Sequence, residues 1–491
     1  VLEAGPLSRT NRRRRAGFVE LDPDANQTGL MKHKSLWPIA PWCLLIPLAA
    51  AATTALAADA DKYSRNWPQW RGPAGNGLVL HGNPPLEWSE QKNVKWKVAI
   101  PGRGHATPIL WENRIFVLTA VPQQKAALMA PAPTIFGQAQ EPPGERRRGG
   151  GGFGRGGGRP TEEYAFTVLC LDRQTGQTLW EKVARKEVPH QGIQPSNSYS
   201  SASPVTDGER LYVSFGSHGL YCYDLDGKLI WDKDLGKVNV TFGEGSSPAL
   251  HGEVLIVLQD NNADSFVYAF DKHTGRELWK QPRDEGSGWT TPFFVQHGGK
   301  TQVVISGSRA VRGYDLQTGE ELWRCAGLGS NPIPMPVADS ATVYAMSGHR
   351  NPAALAIQLG GRGDLTGTDA VRWKLDRGTP YVPSPLLYDG LLFFCQRTDS
   401  IVTCVDPVTG QPHYEQARLA ELGGVYASPI GVNNRIYLAS QNGVTVVLEK
   451  SKELKVLASN KLDDGFDASP AVVGHELFLR GRQHLYCLAE R

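Results

Sequence analysis

The block AFDKHTGRELW, Ala269 to Trp279, has close copies at Cys170 to Trp180 and at Gly313 to Trp323. A second signal precedes each unit: a small residue and a proline, then an apolar-rich segment. It occurs at Thr107-Pro108, Ser203-Pro204, Ser247-Pro248, Thr291-Pro292, Met335-Pro336, Ser384-Pro385, Ser428-Pro429 and Ser469-Pro470. The intervals between these prolines are 96, 44, 44, 44, 49, 44 and 41 residues. Self-similarity at such a period restricts the chain to a solenoid or a propeller, because one unit cannot bury its apolar face alone.

The pattern within a unit selects the propeller. PALHGEVLIVLQDNNADSFVYAFDKHTGRELW holds four short runs, ending near Leu250, Leu258, Phe270 and Trp279. Four short strands per unit make a propeller blade. A proline at the first strand's start costs no ladder hydrogen bond. In the eleven-residue block, Asp271 can bind turn N–H groups and Gly275 supplies a positive φ. The tryptophan lies on the returning fourth strand, where a large flat ring fills the gap between blades. Burying about 200 Å² of it at about 25 cal/mol/Å² contributes at most ~5 kcal/mol. Trp180, Trp231, Trp279, Trp323 and Trp373 occupy this place, and Tyr414 stands in within CVDPVTGQPHY. The eighth unit, from Pro470, has only three strands before the chain ends; Asn93 to Val98, with Trp96, supplies the fourth. The expected fold is all-β: an eight-bladed propeller over residues 63–491, with four-stranded antiparallel blades and a ring closed by an N-terminal strand.

The flanks carry other information. Met31 opens a basic, then apolar stretch ending in Ala55-Leu56-Ala57, which reads as a secretory signal peptide over residues 31–58. Residues 1–30 are expected to be an upstream extension foreign to the exported protein. Periplasmic or cell-surface location follows, with no transmembrane segment after cleavage. The long first interval holds an insertion over residues 121–163, including RRRGGGGFGRGGGRP, a composition that builds no core and reads as a surface loop. Without residues 1–60 the chain keeps 45 basic and 44 acidic residues. So even a balance sets up no global field for nucleic acid.

Cys170, Cys222, Cys404 and Cys487 stand at equivalent places, where other units have Ala269 and Gly313. These read as small buried strand residues. If the hairpin turns at Asp399-Ser400, Cys395 falls opposite Cys404 and an exported protein could form that disulfide. Asp260-Asn261-Asn262-Asp264 lacks the spacing of a calcium loop and reads as a plain turn. No metal site is expected.

The repeated blocks resemble the tryptophan-docking motif A-x-D-x-x-T-G-x-x-x-W of the pyrroloquinoline quinone (PQQ) repeat family, which AFDKHTGRELW matches fully. The resemblance covers roughly residues 90–491. That family includes quinoprotein alcohol dehydrogenases, which are eight-bladed, and BamB, a non-catalytic propeller of outer-membrane assembly. Asn66-Trp67-Pro68-Gln69-Trp70-Arg71-Gly72-Pro73 is similar to the opening of secreted PQQ-like propellers. The enzymes typically pair a disulfide of adjacent cysteines with a Glu/Asn/Asp calcium site and an Asp base. This chain has no adjacent cysteine pair and no recognisable calcium triad.

Loops entering the first strands of propeller blades face the axial funnel. Here they carry His105, Tyr199, Glu244, Trp289, Asn331, Tyr381, Tyr426 and Asp467. Aromatic and polar groups converging on one mouth suit a ligand. The expectation is a monomeric, non-catalytic binding or scaffold module, without a cofactor, for an envelope protein, peptide or glycan. Two alternatives stand beside it: a PQQ- and calcium-dependent alcohol or sugar dehydrogenase, and a sugar- or polymer-binding module.

Overall fold

The structure is a computed structural model that describes residues 60–123, 160–396 and 400–490. The strands form eight separate sheets, each built on four antiparallel strands. Blades 1 to 7 follow chain order, beginning with Ile109–Trp111, Val205–Thr206, Ala249–His251, Phe293–His297, Val337–Ala338, Leu386–Tyr388 and Ile430–Val432. Blade 8 takes Ala471–Val473, Glu476–Arg480 and His484–Leu488 from the C-terminus and Val94–Ala99 from the N-terminus. Trp96 lies opposite Cys487 across that seam, so the ring is closed as the sequence implies. Glu476, on the C-terminal side of the seam, binds Lys95 of the N-terminal strand and Arg173 of blade 1, each at 2.6 Å.

The register explains the cysteines. Trp180 faces Cys170, Trp231 faces Cys222, Trp279 faces Ala269, Trp323 faces Gly313, Trp373 faces Ala356, Tyr414 faces Cys404 and Trp96 faces Cys487. A small residue therefore lies beneath each aromatic ring. Cys395 and Cys404 do not pair: Cys395 faces Val402, Cys404 faces Phe393, and both are free and buried. The hairpin closes with Gln396 opposite Ile401, one residue earlier than a turn centred on Asp399-Ser400. That shift puts the two cysteines two places out of register.

The turn chemistry is as read. Asp271 Oδ1 accepts from the N–H of His273 and of Thr274 and from the Thr274 hydroxyl, at 3.1, 2.8 and 2.7 Å. Each turn then receives the preceding blade's tryptophan. The indole N–H groups of Trp96, Trp180, Trp231, Trp279 and Trp373 donate to the carbonyls of Arg173, Leu225, Lys272, Leu316 and Pro407, at 2.8–3.1 Å. Each acceptor directly follows the turn Asp.

Trp323 departs from this pattern. Blade 5 has no D-x-x-T-G turn to receive it; its loop instead lays Gly363–Asp364 parallel to the outer strand of blade 4. The Trp323 indole turns onto its own blade, donates to Gln302 Oε1 at 2.8 Å, and is fully buried. Tyr414 keeps the docking place by packing alone, against the cluster that holds Leu448 and Leu454.

The run from Asn66 crosses one face of the ring. Trp67 exchanges backbone hydrogen bonds with Leu110 of blade 1, and the Pro68 carbonyl accepts from Thr206 of blade 2. Trp70 reaches Ser469 of blade 8 and packs against the cluster around Met335, while Arg71 donates to the Pro385 carbonyl of blade 6. Leu78–Val79 then pairs parallel with the inner strand of blade 7. This crossing carries Trp70 to the axis. The signal peptide, the upstream extension and all but the ends of the insertion lie outside the described residues. Among those described, no helix is long and apolar enough to cross a membrane.

Candidate functional site

The small residue before each proline does more than start a strand. Its hydroxyl accepts the backbone N–H of the equivalent residue one blade back. Thr107 N–H donates to Ser203, Ser203 to Ser247, Ser247 to Thr291, Met335 to Ser384, Ser384 to Ser428 and Ser428 to Ser469, at 2.9–3.1 Å. These bonds run round the axis and stitch neighbouring blades together. Two links are missing: Met335 has no hydroxyl, and the Thr107 hydroxyl is buried without a partner among the described residues. The sequence signal was a hydroxyl at seven of the eight positions, which "small residue" did not capture.

The hydroxyl ring faces an axial cavity of about 350 Å³. Five of the eight residues expected at the funnel line it: His105, Trp289, Tyr381, Tyr426 and Asp467. Trp70, Phe242, His349 and Gln194 join them without having been anticipated. Trp70 comes from the crossing run, outside the repeat, and His349 from within blade 5, so repeat alignment pointed to neither. Tyr199 and Glu244 border a smaller neighbouring space of about 50 Å³. Asn331 lines neither; it is occupied by backbone geometry, with φ +56° and its N–H on the Ser308 hydroxyl at 3.1 Å.

The aromatic wall is fixed in place. Trp289 Nε1–H donates to the Gly243 carbonyl at 2.6 Å, and Phe242 stacks on it at 5.9 Å. His349 stacks on Tyr381 at 4.9 Å. The loop leading to Trp289 is held by the acidic-looking turn of blade 3. Asn262 Oδ1 accepts from the Ser287 N–H and hydroxyl, and Asp260 makes a buried pair with Arg283 at 2.7 and 3.0 Å. That turn supports a loop, which accounts for its carboxylate and amides.

Asp467 is the one carboxylate lining the cavity, and His105 stands beside it. His105 Nε2 lies 3.5 Å from Asp467 Oδ2. Asp467 also accepts from Arg482 at 2.9 Å and Gln441 at 2.6 Å. Burial alone would raise the Asp467 carboxyl; His105, Arg482 and Gln441 outweigh it and hold it below the usual carboxylate range. Burial pushes His105 down to about 4. At neutral pH the imidazole is therefore uncharged, and Arg482 is the working counter-ion. Glu244 sits apart, accepting from Ser217 N–H at 2.9 and 3.1 Å, with burial raising its carboxyl to about 7. It lies so close to Gly216, at φ +60°, that any Cβ there would strike its carboxylate. Among the described residues, no three His, Cys, Asp or Glu side chains gather as metal ligands.

A family model described as outer membrane protein assembly factor BamB matches residues 165–416. The quinoprotein ethanol dehydrogenase of Pseudomonas putida is 28% identical over 130 residues, a match spanning 24% of this chain and 20% of that enzyme. The chain thus spans about a fifth of that relative's length. Among solved structures, the quinohemoprotein alcohol dehydrogenase of Comamonas testosteroni superposes with a TM-score of 0.54 at 10% identity, covering 89% of this chain and 84% of its own. A europium-containing methanol dehydrogenase gives 0.55 at 10% identity, covering 87% and 92%. At such identities these two share the fold.

Proposed function

Since its family model spans half of the chain, the protein belongs to the family of outer membrane protein assembly factor BamB, and on that premise we propose that it is a non-catalytic binding propeller of the cell envelope. Its axial cavity receives part of a protein, peptide or glycan. The observation that carries this reading is the cavity wall, where aromatic side chains held in place by hydrogen bonding and stacking share one space with serine and threonine hydroxyls. Concave sites of this make-up bind ligands.

The dehydrogenase reading requires PQQ and calcium. PQQ is a planar polyanion, and the residues lining the cavity include neither lysine nor arginine. The one lining carboxylate, Asp467, is committed to Arg482 and Gln441. Glu244 lies in a different space. The residues present do not fit the calcium–quinone pair, and His105 with Asp467 alone defines no oxidation.

The test is to incubate the purified protein with PQQ and Ca²⁺ and assay dye-linked oxidation of ethanol and glucose. No turnover above the protein-free control is expected. Turnover that disappears in Asp467→Ala would overturn the reading.

A further inference from the structure

Building on the axial cavity as a binding site, we propose that its ligand is a neutral carbohydrate, a mono- or disaccharide unit of a glycan. Three features of the wall select it. The first is charge. With no lysine or arginine in the lining and Asp467 neutralised by Arg482, the site offers no fixed positive charge to a uronate, a phosphorylated sugar or another anion. It also holds no unpaired carboxylate to draw a cation.

The second is the kind of polar group displayed. The oxygens of Ser203, Ser247 and Ser428 each already accept one backbone N–H. Each hydroxyl keeps its proton to donate and a lone pair to accept. A sugar hydroxyl is likewise both donor and acceptor, so the two sets match without a required direction. The same bonds use up the backbone N–H groups of Thr107, Ser203 and Ser384, which leaves a peptide no run of free donors there for strand addition.

The third is shape. Trp289, Trp70 and the Tyr381–His349 stack give rigid apolar surfaces against which the C–H faces of a pyranose pack. A volume of about 350 Å³ is near the small end of ligand sites, roughly 300–1,000 Å³. It suits one or two sugar rings.

The purified chain is titrated calorimetrically with cellobiose, maltose, diacetylchitobiose and digalacturonic acid, and with a mixed tripeptide library. At least one neutral disaccharide is expected to bind with a Kd below ~1 mM. Trp289→Ala should weaken it about tenfold or more, and the milder Gln194→Ala about threefold. Silence from every neutral disaccharide at ~10 mM, or tighter binding of digalacturonate, overturns the proposal. If sugars are silent but peptide binding is lost in Trp289→Ala, the cavity remains a binding site and the sugar assignment fails. If no ligand responds to either substitution, both fail.

Discussion

The indole of Trp279 lies flat against Gly319 of the following blade: a Cβ on Gly319 would come within 2.7 Å of the ring. Gly319 also holds φ +73°, and Trp279 donates to Leu316 three residues before it. The glycine is thus required twice, by the turn and by the ring. Gly319→Ala is expected to cost about 1–3 kcal/mol, and Trp279→Ala about 3–5 kcal/mol. Urea unfolding of the two variants and their double variant measures this. Strictly additive losses would show that ring and glycine are not coupled.

Glu244 gives a pH dependence of definite sign. Its carboxyl stands near 7 in the fold against an ordinary 4.5, because burial favours the protonated form. The folded state therefore holds a proton that the unfolded state has released. Stability from this group is full below about 4.5 and is lost as pH rises through about 7. Glu244→Gln should be the more stable protein at pH 8, by about 1–2 kcal/mol since part of the side chain still meets solvent, and should lose the advantage near pH 4.5. Denaturant midpoints across that range decide it; an advantage that does not change with pH would refute the assignment. His105, lowered by burial from 6.5 to about 4, runs the other way: its stability is present above 6.5 and lost as pH falls through about 4.

The cysteines should behave as packing residues. Cys170, Cys222, Cys325, Cys395, Cys404 and Cys487 are free and buried, and burial pushes the thiols of Cys170, Cys222, Cys395 and Cys404 up to about 12. Native protein should resist alkylation at these six, and protein unfolded without reductant should titrate all six of them, counted apart from Cys43. Recovery of only four would restore the Cys395–Cys404 disulfide that the register denies.

Much of the ring was legible because its signals are local. Pro at the strand start, Asp and Gly in the turn, and Trp on the return recur within one unit, and each has a cause inside that unit or its neighbour. Trp323 shows where this stops. Its copy of the block is nearly perfect, yet its docking depends on a turn that blade 5 lacks, and only Gly313 in place of alanine hinted that the ring folds inward. A Cβ at Gly313 would lie 2.3 Å from the Trp323 indole. The cavity was half legible for the same reason. His105, Trp289, Tyr381, Tyr426 and Asp467 follow from their place in the repeat, whereas Trp70 arrives from a segment with no repeat. Glu244 and Tyr199 occupy the right loops but turn toward the second space, a choice set by the Ser217 N–H and the Gln191 carbonyl that hold them.

Hydrogen–deuterium exchange, with and without a saturating cell-envelope extract, tests most directly whether the axial mouth is where this propeller binds. The account predicts slowed exchange in residues 194–203, 242–247 and 289–291 and around Tyr381 and Tyr426. Protection confined to the outer strands Thr178–Glu187, Leu229–Lys233 and Glu277–Arg283, with the mouth unchanged, would contradict it.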